Sequence, residues 1–212
     1  MRVILFGAPG SGKGSQAKLI SRDFGIPQIS TGDILRQHIA NQTKIGKIAE
    51  GLINDGKLVP DEIIIEIVKQ RIAEDDCKNG FILDGFPRTV GQAAQLDSIT
   101  KVDVVIFIDI SINEVERRAL TRRICPQCGK IFSIAEKYTE ICDECGSKLI
   151  QREDDKREVV RKRVDQYLAQ SEPLIKFFKK RKILKTVLSK NSAEETYEEV
   201  KKILLQVRAK RK

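Results

Sequence analysis

The segment GAPGSGK at 7–13 has the spacing G-x-x-x-x-G-K. Glycines so placed let successive backbone N–H groups turn inward around phosphate oxygens, and a lysine in the seventh position reaches the outer phosphates. Gly10, Ser11, Gly12, Lys13, Gly14 and Ser15 therefore form a candidate cradle for a nucleoside triphosphate. One residue departs from the commonest form. Ser or Thr usually follows the lysine directly to help hold magnesium, whereas here Gly14 intervenes and Ser15 comes next. A glycine-rich turn in an ordinary sheet is the competing reading. The flanks argue against it, because the apolar run 2–6 precedes the loop and helical spacing of Ala17, Leu19, Ile20 and Phe24 follows it.

A second constellation lies in the middle of the chain. Cys125, Cys128, Cys142 and Cys145 read C-x₂-C-x₁₃-C-x₂-C, with Gly129 and Gly146 directly after the second cysteine of each pair. Two such knuckles bring four thiolates to the corners of a tetrahedron about 2.3 Å from a zinc ion. A redox pair would need a thioredoxin-like context, which the flanking sequence lacks. Cys77 stands apart and reads as a small, semi-buried thiol.

These groups need a scaffold, and the apolar pattern supplies one. Runs 2–6, 81–83 and 104–108 are short and unalternating, as in parallel strands buried on both faces, and 183–188 offers a last strand. Between them lie helical patterns. Residues 34–54 read as helices broken near Asn41-Gln42-Thr43, and a further helix opens at Pro60-Asp61-Glu62 with Ile64, Ile67, Val68 and Ile72 on one stripe. A long helix from about Glu158 is expected to bend or break at Pro173, and a closing helix carries Val200, Ile203, Leu204 and Val207. Strands alternating with helices predict an α/β fold. Residues 122–163, charged and cysteine-bearing, read as an inserted module.

The chain has 212 residues, 41% of them apolar and 33% charged. A single core of that size buries roughly 70% of the unfolded surface and needs no disulfides. No stretch approaches the ~20 apolar residues of a membrane span, and the start lacks a secretory signal, so a cytoplasmic protein is expected and membrane, secreted and fibrous classes are excluded. The net charge of +9 fits a polyphosphate enzyme, a nucleic-acid binder, or plain solubility with a basic tail, Lys210-Arg211-Lys212.

The order GKG in the loop resembles the nucleoside monophosphate kinases. ISTGDILR at 29–36, GKLVPDE at 56–62, LDGFPRTVGQA at 83–93, the two cysteine pairs and QREDD at 151–155 extend the resemblance to the long-type adenylate kinase family over nearly the whole chain. The resemblance implies a P-loop NTPase-type parallel sheet flanked by helices (1–29, 60–121 and 164–212), a helical AMP-binding domain (30–59) and a zinc lid (122–163). It implies transfer of a phosphoryl group from MgATP to AMP giving two ADP, by a monomer without nucleic-acid or membrane partners, with one structural Zn²⁺ and Mg²⁺ carried by ATP.

Residue by residue, it puts Thr31, Arg36, Lys57, Leu58, Val59, Gly85, Phe86, Pro87, Arg88 and Gln92 on the AMP side. It puts Arg118, Arg122, Ile131, Phe132 and Asn191 on the ATP side, Asn191 in a segment where the resemblance weakens. Arg152 and Arg163 match lid arginines that close over both nucleotides. Asp84 and Asp33 match carboxylates that order water around magnesium, with helix capping a competing role for Asp33. Asp154 and Asp155 either orient the arginines or pair with Arg157 and Arg161 at the surface. A side-chain amide at Gln92 suits adenine, with capping or solvating its helix the plainer alternative. Rival functions are a kinase for UMP, CMP or GMP, a nucleic-acid-binding zinc ribbon, and a catalytically dead nucleotide module. Lys13, Arg88 and Asp84 are all present, which speaks against the last.

Overall fold

The computed structural model describes residues 1–135 and 138–210; Arg211 and Lys212 of the basic tail lie outside the described residues. Five parallel strands form the central sheet in the order β2-β3-β1-β4-β7. They are β1 (Arg2–Gly7), β2 (Gln28–Ser30), β3 (Phe81–Asp84), β4 (Val104–Asp109) and β7 (Leu184–Leu188). Side chains of a strand alternate between faces, and both faces here are covered. Ile4, Phe6, Leu83 and Val105 point into one core with Ile67, Val68, Leu96, Leu174 and Phe178. Val3, Leu5, Ile82, Val104 and Ile106 point into the other with Ala17, Ile20, Val200 and Leu204. That double burial is why the strands read as continuous apolar runs.

Helix α1 (Lys13–Phe24) and the last helix, α8 (Ala193–Ala209), cover the second face. Helices α4 (Asp61–Ile72), α5 (Val90–Ile99) and α7 (Arg157–Lys180) cover the first. The break expected at Pro173 does not occur, and α7 runs through it. Proline removes one backbone donor, but Leu174 and Phe178 are buried just beyond it and hold the helix against the sheet.

Helices α2 (Thr31–Ala40) and α3 (Lys44–Asn54) pack together as an antechamber beside β2. After α6 (Ile112–Thr121), a two-stranded ribbon of β5 (Arg122–Ile124) and β6 (Ile131–Ser133) opens the cysteine-bearing module. Among the described residues its apolar cluster consists of Cys125, Cys142 and Leu149, with Phe132 packed against it. So small a core does not hold a fold by itself. Among the described residues no helix is long and apolar enough to cross a membrane.

The α2–α3 contact depends on a glycine that the sequence reading did not single out. A Cβ on Gly46 would lie 2.1 Å from the His38 carbonyl oxygen, backbone against backbone, whereas one on Gly51 of the same helix would meet open space. Gly46→Ala is expected to destabilise the protein by about 1–3 kcal/mol through overpacking. Gly51→Ala is expected to be stabilising by about 0.5–1 kcal/mol, both read from urea unfolding midpoints.

Candidate active site

A cleft of about 770 Å³ lies across the carboxyl ends of the strands. The connection after β1 runs past β3 to β2, whereas the connection after β3 crosses β1 to reach β4 on the other side, and such a switch point leaves a crevice above the sheet. Register sets what faces it. Leu5 lies opposite Asp84, and Ser30 also opposite Asp84, so the phosphate loop, the start of α2 and the Asp84-Gly85 turn end side by side. Nine cationic side chains line the cleft against four carboxylates. Such a cavity favours a multiply charged anion.

At one end, Gly12 caps α1 with a left-handed backbone, φ 95°, which favours glycine. Lys13 Nζ donates to the carbonyls of Gly7 and Ala8 at 2.9 and 2.8 Å. Burial lowers its pKa to about 8, against the opposing pull of Asp84. Burial in turn pushes the Asp84 carboxyl up, which Lys13 counteracts. Gln28 Nε2 donates to Asp84 Oδ2 at 3.0 Å, a contact the sequence did not suggest. Gln16 is a second such residue: its amide donates to the Ala193 carbonyl at 2.8 Å and ties α1 to the start of α8.

Arg118 holds the neighbouring loop. It donates to Glu114, to Ser189 Oγ at 2.9 Å and to the Lys190 carbonyl at 2.9 Å. That brings Asn191 to the cleft wall, together with Ile131 and Phe132 from β6.

At the other end, Thr31 Oγ1 donates to the Gly85 carbonyl at 3.2 Å, and Arg88 Nε donates to the same oxygen at 2.7 Å. Gly85 has φ 78°, and a Cβ there would press within 3.1 Å of the Arg88 guanidinium. Arg36, Lys57, Leu58, Val59 and Pro87 complete this wall. Phe86 does not line it. Its ring is buried in the core beneath the turn, so its contribution is support from below. The buried Gln92 side chain accepts from the Arg88 backbone N–H at 2.7 Å and donates to Asp61 at 2.6 Å. Thr89 is the N-cap of α5, with Oγ1 accepting from the Gln92 N–H, so Gln92 takes one capping bond and also lines the cleft.

Over the top lie Arg122, Arg152 and Arg163. Asp155, fully buried, accepts from Arg122 Nε at 2.8 Å and pairs with its second nitrogen as well. Arg163 meets Asp154 at 3.0 Å. The aspartate pair thus orients arginines; the surface partners Arg157 and Arg161 are not the ones chosen. Burial would lower the Arg122 pKa, but the hydrogen-bonded Asp155 keeps it above its ordinary value. Arg88 and Arg152 are both pulled down to about 10 by burial, with Arg163 adding to it at Arg88 and Arg36 at Arg152. Asp33 does not cap α2; Ser30 does, accepting from the Asp33 N–H at 3.2 Å. The Asp33 carboxylate instead pairs with Arg36 and lies 3.7 Å from Arg152.

Beside the cleft, Cys125, Cys128, Cys142 and Cys145 place their sulfurs within 4.8 Å of one another. Four thiolates around one ion at about 2.3 Å stand about 3.8 Å apart, and the contacts Cys125–Cys145 at 3.3 Å and Cys128–Cys142 at 3.6 Å fit that size. The four could bind a metal ion. Cys77 is more buried than expected and donates to the Arg71 carbonyl.

Comparison with known proteins agrees with this arrangement. Residues 5–183 match the family model described as adenylate kinase. The adenylate kinase of Caldicellulosiruptor saccharolyticus is 49% identical, over 96% of this chain and 99% of its own. Those of Clostridium acetobutylicum and Thermodesulfovibrio yellowstonii are 45% and 43% identical over the same shares. With a glycine-rich loop and Lys13 at one end of the cleft, Arg36 and Arg88 at the other and a cysteine module beside it, the chain belongs to the adenylate kinase family.

Proposed function

We propose how this cleft performs the adenylate kinase reaction, transfer of the terminal phosphoryl group of MgATP to AMP with formation of two ADP. The observation that carries the reading is the excess of cations around a single cleft that has two distinct anion grips. In this reading 30–59 is the AMP-binding domain, 122–163 the lid, and 1–29, 60–121 and 164–212 the core. Gly10, Ser11, Gly12, Lys13, Gly14 and Ser15 hold the ATP phosphates, while Arg118, Ile131, Phe132 and Asn191 flank its base. Thr31, Arg36, Lys57, Leu58, Val59, Gly85, Pro87, Arg88 and Gln92 hold AMP, with Phe86 buttressing the turn.

The chemistry needs no covalent intermediate. Phosphoryl transfer is catalysed by in-line positioning and by cations where charge spreads in the transition state. Lys13, Arg88, Arg122, Arg152 and Arg163 supply those cations, and Asp84 with Asp33 orders water around the magnesium carried with ATP. Asp154 and Asp155 hold the lid arginines in place before substrate arrives, so little reorganisation remains at the moment of transfer. Water excluded by the lid cannot compete for the phosphoryl group. Lys13→Met should lower turnover about a thousandfold while circular dichroism shows an unchanged fold. Near-normal turnover would remove the phosphate loop from the mechanism.

Gln92 selects the acceptor. Its amide offers both a donor and an acceptor to a base edge, as adenine's amino group and adjacent ring nitrogen require. A mismatched buried polar pair costs about 1–3 kcal/mol. In a coupled assay with MgATP, AMP should be preferred over GMP and UMP, and Gln92→Ala should narrow that preference about tenfold. Equal rates with all three in the wild type would indicate a general monophosphate kinase. The acceptor wall, where Gln92 and Thr31 close round the base, favours AMP over the pyrimidine and guanine rivals.

The four cysteines hold one structural zinc ion. An S₄ set with small tetrahedral spacing suits zinc, and the module's meagre apolar cluster needs such a staple. Metal analysis after reducing purification should give about one equivalent, and Cys142→Ser combined with Cys145→Ser should abolish it. In that variant the lid should melt before the core, seen as protease sensitivity confined to about residues 122–156. Retention of the metal would refute the assignment.

The working form is a cytoplasmic monomer without nucleic-acid or membrane partners. Nine cationic side chains against four carboxylates in one cleft support small polyphosphates as the partners of the positive charge.

A further inference from the structure

Asp61 is outside the cleft lining. It is the first residue of α4, yet its carboxylate faces α5: Oδ1 accepts from Gln92 Nε2 at 2.6 Å and Oδ2 accepts from Thr89 Oγ1 at 3.1 Å. A carboxylate has only acceptors to offer, so the nitrogen of the Gln92 amide must face it. On the other side the Arg88 backbone N–H is only a donor, and it meets the Gln92 carbonyl oxygen at 2.7 Å. Both partners impose the same orientation on a side chain that is only 2% exposed.

The remaining valences follow by counting. A side-chain amide has two N–H donors and two lone pairs on oxygen. Asp61 takes one N–H and Arg88 one lone pair, which leaves one donor and one acceptor in a fixed left-right order. Adenine presents its amino donor and its ring-nitrogen acceptor in one order. A 6-oxopurine such as that of IMP presents the reverse, and pairing with it would require the amide to turn over. Turning over would set the Gln92 oxygen against the Asp61 carboxylate and its NH₂ against the Arg88 N–H.

We propose that Asp61 is a specificity-determining positioning residue that locks the Gln92 amide in the order that reads a 6-aminopurine monophosphate and rejects a 6-oxopurine. The inference rests on the acceptor assignment of Gln92 above. Asp61 acts through Gln92 without touching the substrate.

The test is steady-state kinetics with MgATP and either AMP or IMP as acceptor, with thermal unfolding recorded for each variant. In Asp61→Ala the ratio of kcat/KM for AMP over IMP should fall about tenfold, mainly through a higher KM for AMP, with the KM for MgATP unchanged. Asp61→Asn, which keeps an oxygen to face the amide, should retain most of the wild-type ratio. In a Gln92→Ala background, adding Asp61→Ala should leave the ratio unaltered, because the intermediary is gone. A wild-type ratio in Asp61→Ala would overturn the proposal, as would an equal fall with and without Gln92. A wild-type protein that uses IMP as readily as AMP would bring down the acceptor assignment itself, and this inference with it.

Discussion

Crowding of like charge in one cleft is the constraint on which the rest of this structure depends. Two unit charges 4 Å apart at an effective dielectric of 20 interact by about 4 kcal/mol. Arg36, Arg88, Arg122, Arg152 and Arg163 all converge on one space with Lys13. Their cost shows in the lowered pKa values of Lys13, Arg88 and Arg152, where burial is the first cause and a neighbouring arginine adds to it. Asp84, Asp154 and Asp155 offset part of that repulsion. A multiply charged anion would offset more, so the same imbalance favours its binding in the cleft.

The parallel sheet turns that imbalance into geometry. Because β3 pairs directly with β1 and runs parallel to it, the segments after β1 and β3 emerge side by side at the strands' carboxyl ends. The phosphate loop follows β1, and the Gly85–Arg88 grip follows β3. Asp84, the last residue of β3, stands between the two, where its charge acts on Lys13 and on Arg88 alike. Gln28, from the strand on the far side of β3, steadies that carboxylate.

The cysteine module serves the same end from above. Arg122 is the first residue of β5, and Ile124 on that strand bridges Ile150, two residues before Arg152. The knuckle at Cys125 begins directly after β5. An ion held by the four sulfurs would therefore fix the two chain segments that deliver Arg122 and Arg152. Asp155 completes the hold on Arg122 from the short helical turn that leads into α7.

Much of this was legible in the sequence, because much of it is local. The phosphate loop is a backbone conformation written in consecutive glycines, and a cysteine knuckle needs only a few neighbouring residues. Buried parallel strands announce themselves as apolar runs. Pro173 was only partly legible, since a missing donor predicts a bend or a break and only the packing of Leu174 and Phe178 shows that the helix is not interrupted. The partners of the polar side chains were not legible. Asp155 finds Arg122 33 residues away, Gln92 finds Asp61 across 31, and Gln28 finds Asp84 across 56. The sequence by itself determined which chemical groups are present and the local backbone that carries the phosphate loop and the knuckles. Tertiary structure alone decided which carboxylate orients which arginine or amide, because such pairs are made by strand register and helix packing, to which spacing along the chain is blind.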